Sequence, residues 1–511
     1  MSGLEELYHQ IVRLRNLGHI DQAGDMAAKM CRKWKKEPVF WIELAGCHAL
    51  KYDFAKARQA VQKALQLGRS QSGIFELAAN TMLSCDVPEE AIRILRQGRK
   101  LHPGGGNMDV SLATLLERQH GVDEAAELVH TLLQKDPAHG EGLWLQAVLD
   151  KREKQPGQAV EHIERLLSEN QPSQQTRHLL WKALYLKIRC LDEMKQYSDA
   201  VNAIREASDF TREWYAEDVQ LCQQSWEHRR EAMEGFNQNL NKDQLCAWQN
   251  EEPRTDQKIC FLSGHPRSGT TLAGTILSSH PDTCQVDEKE IFYRFTFIPL
   301  LLEHPQAQSD MERLSIASPK SLTKYAKKYL KLAARVTGDS GGRNMIIEKH
   351  PLHIYSAPAA LRIFPGSTHI VMLRDPRAIA LSCLMTGTKL TPFSVNWLDP
   401  VATAKSYDSI MAAWEKTKNW EIPHVHPVKY EDLVTEQEKT TRQLASWTGM
   451  EWNDELLNYR EKAKEQAATS PTYEQVTRPI YRDSLEKWRH YQELLEPAMP
   501  LLEQAATRMG Y

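Results

Sequence analysis

The chain has 511 residues, 41% hydrophobic and 26% charged, with 25 Gly and 24 Pro spread along it, a composition that excludes disordered, collagenous and low-complexity classes. Lys and Arg total 64 against 67 Asp and Glu, a formal net charge of −3, which argues against a general nucleic-acid binder and leaves a local basic pocket open. The nine Cys are odd in number, scattered and without a C-x-x-C pair, the pattern of reduced thiols rather than of a disulfide frame or zinc site.

Residues 1–18 mix Glu5, Glu6, Arg13 and Arg15 into the apolar positions, so no signal-peptide core is read there. No later run approaches the roughly 20 apolar residues of a bilayer span. A cytoplasmic protein without a membrane span is expected. Along the first half, Ala23, Ala57, Ala91, Ala125 and Ala159 fall at intervals of 34, each behind acidic or turn-like residues such as Asp21-Gln22 or Pro88-Glu89-Glu90. Ala45, Ala79, Ala113 and Ala147 precede their partners by twelve residues, where a small side chain lets one helix approach the next. One helical turn after the first series come Ala27, Val61, Leu95, Val129 and Ile163, as a buried stripe requires. Ala200 lies 41 residues after Ala159, a slip of seven that the sequence places at 171–176, as an extended loop or capping turn. The period and its two registered series resemble tetratricopeptide repeats. That resemblance implies an α-helical TPR solenoid over 1–208, whose concave face can take a peptide or partner protein or serve only as scaffold.

Residues 209–257 carry Trp214, Trp226 and Trp248 among charged and amide residues, then Glu251-Glu252-Pro253, and read as a linker helix and boundary. Beyond it, aliphatic or β-branched runs at 259–262, 344–347, 369–373 and 424–429 alternate with helical stretches, which predicts a parallel α/β sheet. The first run leads into Ser263-Gly264-His265-Pro266-Arg267-Ser268-Gly269-Thr270-Thr271-Leu272 and then a helix over 273–279. Gly264 and Gly269 have P-loop spacing. A strand, a Gly-rich turn and a helix start aim backbone N–H groups and a positive helix end at one place, a phosphate or sulfate site. Thr270 stands where G-x-x-x-x-G-K-[ST] has its Lys, so a nucleoside triphosphatase is disfavoured.

Pro266-Arg267-Ser268-Gly269-Thr270-Thr271-Leu272, with His280-Pro281-Asp282 closing the helix, resembles the 5′-phosphosulfate loop of sulfotransferases, particularly the tyrosylprotein branch. The resemblance covers about 258–495 in five segments. It implies an α/β P-loop-like parallel-sheet sulfotransferase domain over 258–511, with 3′-phosphoadenosine 5′-phosphosulfate (PAPS) as donor. Pro266, Arg267, Ser268, Gly269, Thr270 and Thr271 are then donor contacts, and Arg267 also a catalytic one.

Glu288, in Asp287-Glu288-Lys289-Glu290, falls on the family's catalytic carboxylate, with Glu290 as the rival register. A hydroxyl nucleophile needs such a group within reach to take its proton. Lys349 closes a predicted strand, where open α/β sheets gather their ligands, and by the resemblance meets the bridging oxygen. Arg374 ends another strand and Ser382 follows eight residues later, about two helical turns, so guanidinium and hydroxyl can hold one phosphate from two sides. In the family that group is the donor's 3′-phosphate. Tyr430 matches an aromatic near the adenine and Lys487 a phosphate-contacting Lys. Thr472, in Ser470-Pro471-Thr472-Tyr473, stands where the family has a Ser on the sulfate.

The implied reaction is in-line sulfuryl transfer with Glu288 as base, cationic groups on the developing charge and no metal. The acceptor stays open between a peptide tyrosine, a glycan and a small phenol or alcohol. Two alternatives remain: a P-loop-like phosphotransferase needing Mg²⁺, and a repeat-based interaction protein with an inactive sulfotransferase-like domain.

Overall fold

The computed structural model of the protein describes residues 3–104, 106–119, 121–339, 342–465 and 483–511. They gather into two compact units, Met1–Pro172 and Ser173–Tyr511.

The first unit holds, among the described residues, ten α-helices of 13 or 14 residues, from Gly3–Asn16 to Pro156–Glu169. The 34-residue period is visible in the helix starts themselves, Ile20, Phe54, Pro88, Val122 and Pro156. Ala23, Ala57, Ala91, Ala125 and Ala159 are at most 1% exposed, and Ala45, Ala79, Ala113 and Ala147 at most 2%, so both small-residue series lie at helix crossings. A third register escaped the sequence reading. Gly18, Tyr52, Asp86 and Lys154, spaced by multiples of 34, all take positive φ where one helix hands over to the next. A left-handed residue there ends a helix by satisfying its last carbonyls, and only at Gly18 does the sequence advertise it.

The predicted slip is a non-helical stretch at 170–176. After it the helices lengthen to 17 and 18 residues, Arg177–Glu193 and Tyr197–Trp214. Both lie in the second unit, and the sequence boundary at 208 falls inside the latter helix. The expected linker is two helices, Ala216–Gln238 and Lys242–Gln249, packed within that same unit.

Among the described residues the second unit is built on five parallel strands, β1 (Lys258–Gly264), β2 (Thr283–Asp287), β3 (Met345–Lys349), β4 (Thr368–Leu373) and β5 (Val425–Lys429). Their order is β2-β3-β1-β4-β5. β2 is the strand the sequence reading missed. It has five residues, and Thr283, Gln285 and Asp287 break any aliphatic run. Strand alternation sorts the two faces. Cys260, Leu262, Met345, Ile347, Ile370 and Met372 pack with the helix Thr270–Ser279. Val371 and Leu373 pack on the other face with Trp226, Met233 and Tyr407. There Phe261 also meets the rings of Phe292, His353, Phe364 and His369, at centroid distances of 5.0–6.1 Å.

The chain leaves β1 toward β2 and leaves β4 toward β5, in opposite directions across the sheet. Their carboxyl ends therefore open a crevice at the topological switch point, where ligands of such sheets bind.

Candidate active site

At the end of β1 the backbone makes two turns open only to glycine. Gly264 has φ +148° and a Cβ there would lie 2.4 Å from the Met372 carbonyl oxygen, while Gly269 has φ +96° and a Cβ there would lie 2.4 Å from the Tyr430 ring. Between them Arg267 is held at φ +73°, a left-handed conformation that costs about 1–3 kcal/mol for a residue with a side chain and recurs at functional sites. The Ser268 N–H donates to the His265 carbonyl at 3.0 Å, and Gly269 then caps the helix Thr270–Ser279.

Across the switch point the cations converge. Arg267 Nε donates to Ser382 Oγ at 3.0 Å, and Arg374 donates to the Arg267 carbonyl at 3.0 Å. The Arg374 guanidinium stands 4.6 Å from the centre of the Tyr430 ring, so loop, β4 end and β5 end share one locus. Ser382 lies on the helix Pro376–Leu384, capped by Asp375, which accepts from the Arg377 N–H at 2.8 Å. Burial pulls the Arg267 guanidinium below its ordinary value, the mark of a desolvated cation. The Ser268 hydroxyl is buried with no hydrogen-bond partner among the described residues. A desolvated guanidinium, an orphaned donor and a helix start fit an anionic phosphosulfate group.

The second cluster forms where β2 and β3 end side by side, Asp287 opposite Lys349 in the register. Lys349 is fully buried and its ammonium contacts Glu288 Oε1 at 2.8 Å and Asp287 Oδ1 at 2.5 Å. The Glu288 N–H donates to the Lys349 carbonyl at 2.8 Å, with Glu288 at φ +51°. Its side chain is 46% exposed, open to an acceptor. Burial alone would raise the Glu288 carboxyl. The charge and hydrogen bond of Lys349, with His350 and Arg267 behind them, hold it below its ordinary 4.5. Burial acts on Lys349 to lower it, and the two carboxylates lift it above its ordinary value instead. Glu290 pairs with Arg294 at 3.9 Å, while Glu288 is the one of the two glutamates hydrogen-bonded to Lys349.

The side chain of Glu348, next to Lys349 along β3, must point the other way. It is fully buried, accepting from the Tyr329 hydroxyl at 2.6 Å and paired with His353 Nε2 at 2.9 Å. Among the expected phosphate contacts, Lys487 is held by Asp192 at 2.6 Å, a carboxylate that also accepts from Tyr491. Thr472 lies outside the described residues. Asp287 and Asp192 were passed over by the sequence reading. Asp287 was in view, one residue from Glu288, but nothing marked it as a partner of Lys349. Asp192 carries no local signal at all.

The fold and the site together define a parallel α/β domain that gathers a glycine turn, two arginines at the switch point and a strand-end Lys–carboxylate pair at the carboxyl ends of its strands. Residues 260–454 match the Sulfotransferase family. An uncharacterized protein of Aquifex aeolicus (strain VF5) is 24% identical over 432 residues, 82% of this chain, which thus spans about half (53%) of that protein's length. Protein-tyrosine sulfotransferase 1 of Danio rerio is 25% identical over 273 residues, 50% of this chain and 73% of its own. Among solved structures, the sulfotransferase domain of the Synechococcus PCC 7002 olefin synthase is 20% identical, covering 50% of this chain and 98% of that domain, with a TM-score of 0.33.

Proposed function

We propose that the protein is a sulfotransferase that moves the sulfuryl group of PAPS to an acceptor hydroxyl, with 258–511 as the catalytic part and the repeats as a partner-binding or scaffold part. The observation that carries this reading is the joint presence, at the ends of neighbouring parallel strands, of the Arg267–Ser382–Arg374 cluster and the Glu288–Lys349 pair.

In this reading Pro266, Arg267, Ser268, Gly269, Thr270 and Thr271 cradle the 5′-phosphosulfate from the loop and helix start. Arg374 and Ser382 hold the 3′-phosphate, with Tyr430 beside the adenine. Ser382 now accepts from Arg267, so donor binding would exchange that bond for one to phosphate. Lys487 would have to leave Asp192 to reach a phosphate oxygen. The donor supplies an activated sulfuryl group whose leaving group is adenosine 3′,5′-bisphosphate. Glu288, ionised because Lys349 depresses it, takes the acceptor's proton. Lys349 and Arg267 stabilise negative charge growing on the leaving and equatorial oxygens, with Thr472 as a further hydroxyl donor. This division of labour asks no metal of the chain.

Glu288→Ala is expected to cut turnover by roughly 10²–10⁴-fold while leaving calorimetric binding of adenosine 3′,5′-bisphosphate intact. Turnover at the wild-type rate would remove Glu288 from the base role.

A further inference from the structure

We propose that Asp287 is a positioning residue for the reaction, the fixed counter-charge that holds the Lys349 ammonium in place while Glu288 takes up the acceptor's proton, an inference that rests on the sulfotransferase reading and goes beyond it. Lys349 is fully buried, and among the described residues two carboxylates pair with it, Asp287 Oδ1 at 2.5 Å and Glu288 Oε1 at 2.8 Å. One ammonium thus faces two negative charges. Keeping Glu288 ionised takes the cation alone, and a second carboxylate nearby works against that ionisation. The surplus charge calls for another function.

The two carboxylates are held differently. Asp287 is the last residue of β2 and sits opposite Lys349 in the register, so its backbone is fixed by pairing with β3. Gln285, two residues earlier, shares its face of the sheet. A Cβ on Gly274 would come 3.2 Å from Lys349 Cγ and 3.4 Å from Gln285 Nε2, so these neighbours wall the lysine stem and Asp287 meets its charged end. Glu288 lies past the strand, at φ +51°. An ammonium has three N–H groups. With one toward each carboxylate, the third is left for the donor's bridging oxygen. Burial works to lower Lys349, and Asp287 is foremost among the groups that lift it.

The reaction removes one of these charges. As the acceptor's proton moves to Glu288, the acceptor oxygen forms the new O–S bond, and the electron pair of the breaking bond from sulfur to the bridging oxygen leaves on adenosine 3′,5′-bisphosphate. Glu288 is then neutral. Without Asp287 the buried ammonium would lose its last counter-charge from the protein just as it must stand against the leaving oxygen, and an unpaired buried charge is strongly disfavoured. With Asp287 on the rigid end of β2, the ammonium is paired before and after transfer.

The test uses the full chain as wild type, Asp287→Asn, Lys349→Met and the double variant. Turnover is read as release of adenosine 3′,5′-bisphosphate from PAPS with a tyrosine peptide, a phenol and a free sugar as acceptors. Asn keeps the shape of the side chain and removes its charge. Expected are a kcat lower by roughly ten- to hundredfold for Asp287→Asn in the wild-type background, no further loss in the Lys349→Met background, and unchanged calorimetric binding of adenosine 3′,5′-bisphosphate. Wild-type kcat in Asp287→Asn, an equal fold-loss in both backgrounds, or loss of bisphosphate binding overturns the positioning role while the sulfotransferase reading stands. No release by the wild type with any of the acceptors overturns that reading and this one together.

Discussion

At the scale of single residues the site is a balance between burial and charge. Lys349, with no exposed surface, remains a cation because two carboxylates face it, and Glu288 in turn stays ionised because Lys349 faces it. The folded-state value of Glu288 lies below 4.5, so its contribution to stability, and to turnover in the base role proposed for it, is present above that pH and is lost only as pH falls through the depressed value. Lys349→Met removes the main lowering cause and leaves burial to raise the carboxyl. The acid limb of the residual pH–rate profile is expected to move to higher pH, on top of a loss of about 10²–10³ in kcat. A limb that stays in place would mean Lys349 does not set the charge of Glu288. Of this cluster, Glu288 and Lys349 were legible in the sequence through motif position. Their contact was not, because 61 residues separate them.

At the scale of elements, β3 shows what a period of two does to adjacent charges. Lys349 points to the helix Thr270–Ser279, where a Cβ on Gly274 would come 3.2 Å from its Cγ, and Glu348 points to Tyr329 and His353. Sequence alone makes Glu348-Lys349 a plausible surface pair, whereas the pleat separates them onto opposite, buried faces. Burial pushes Glu348 up to about 8 and His353 down to about 3, so at neutral pH the two share one proton as an uncharged hydrogen-bonded pair. Between 4.5 and 6.5 the proton kept by folded Glu348 is matched by the one unfolded His353 holds, and between 6.5 and about 8 the folded pair keeps a proton that the unfolded chain has released, so stability falls as pH rises through that upper window. Glu348→Gln keeps the shape and hydrogen bonds without the titration. Its Tm is expected to lose that downward slope and to overtake the wild type on the alkaline side, and parallel Tm–pH curves for the two proteins would refute the buried-acid account. The helical hairpins of the first unit were the most legible elements. Each repeats a local 3.6-residue stripe whose apolar side, from Ala23 through Ile163, is buried as read. The least legible was β2, which carries polar residues at three of five positions and is held by pairing with β3 rather than by its own propensity.

At the scale of the molecule, no described helix is long and apolar enough to cross a membrane, and no described group of three or more His, Cys, Asp or Glu is placed to hold a metal ion. The choice between sulfuryl and phosphoryl transfer is therefore best made by ligand. Adenosine 3′,5′-bisphosphate at a hundredfold excess over its Kd is expected to stabilise the full chain by about 2.7 kcal/mol, a Tm rise of several degrees, with or without EDTA. ATP with Mg²⁺ is expected to do less. The reverse order would favour the phosphotransferase. The sequence by itself determined whatever is written in local order: the 34-residue period, the glycine turn, the strand-end Arg374 and Lys349, and Ser382 two turns beyond its arginine. Only the tertiary structure decided that Glu288 meets Lys349, that Arg267 meets Ser382 and that Asp192 holds Lys487. The reason is physical. A parallel sheet takes its register from crossovers of tens of residues, and the order β2-β3-β1-β4-β5 brings together side chains that no local pattern relates.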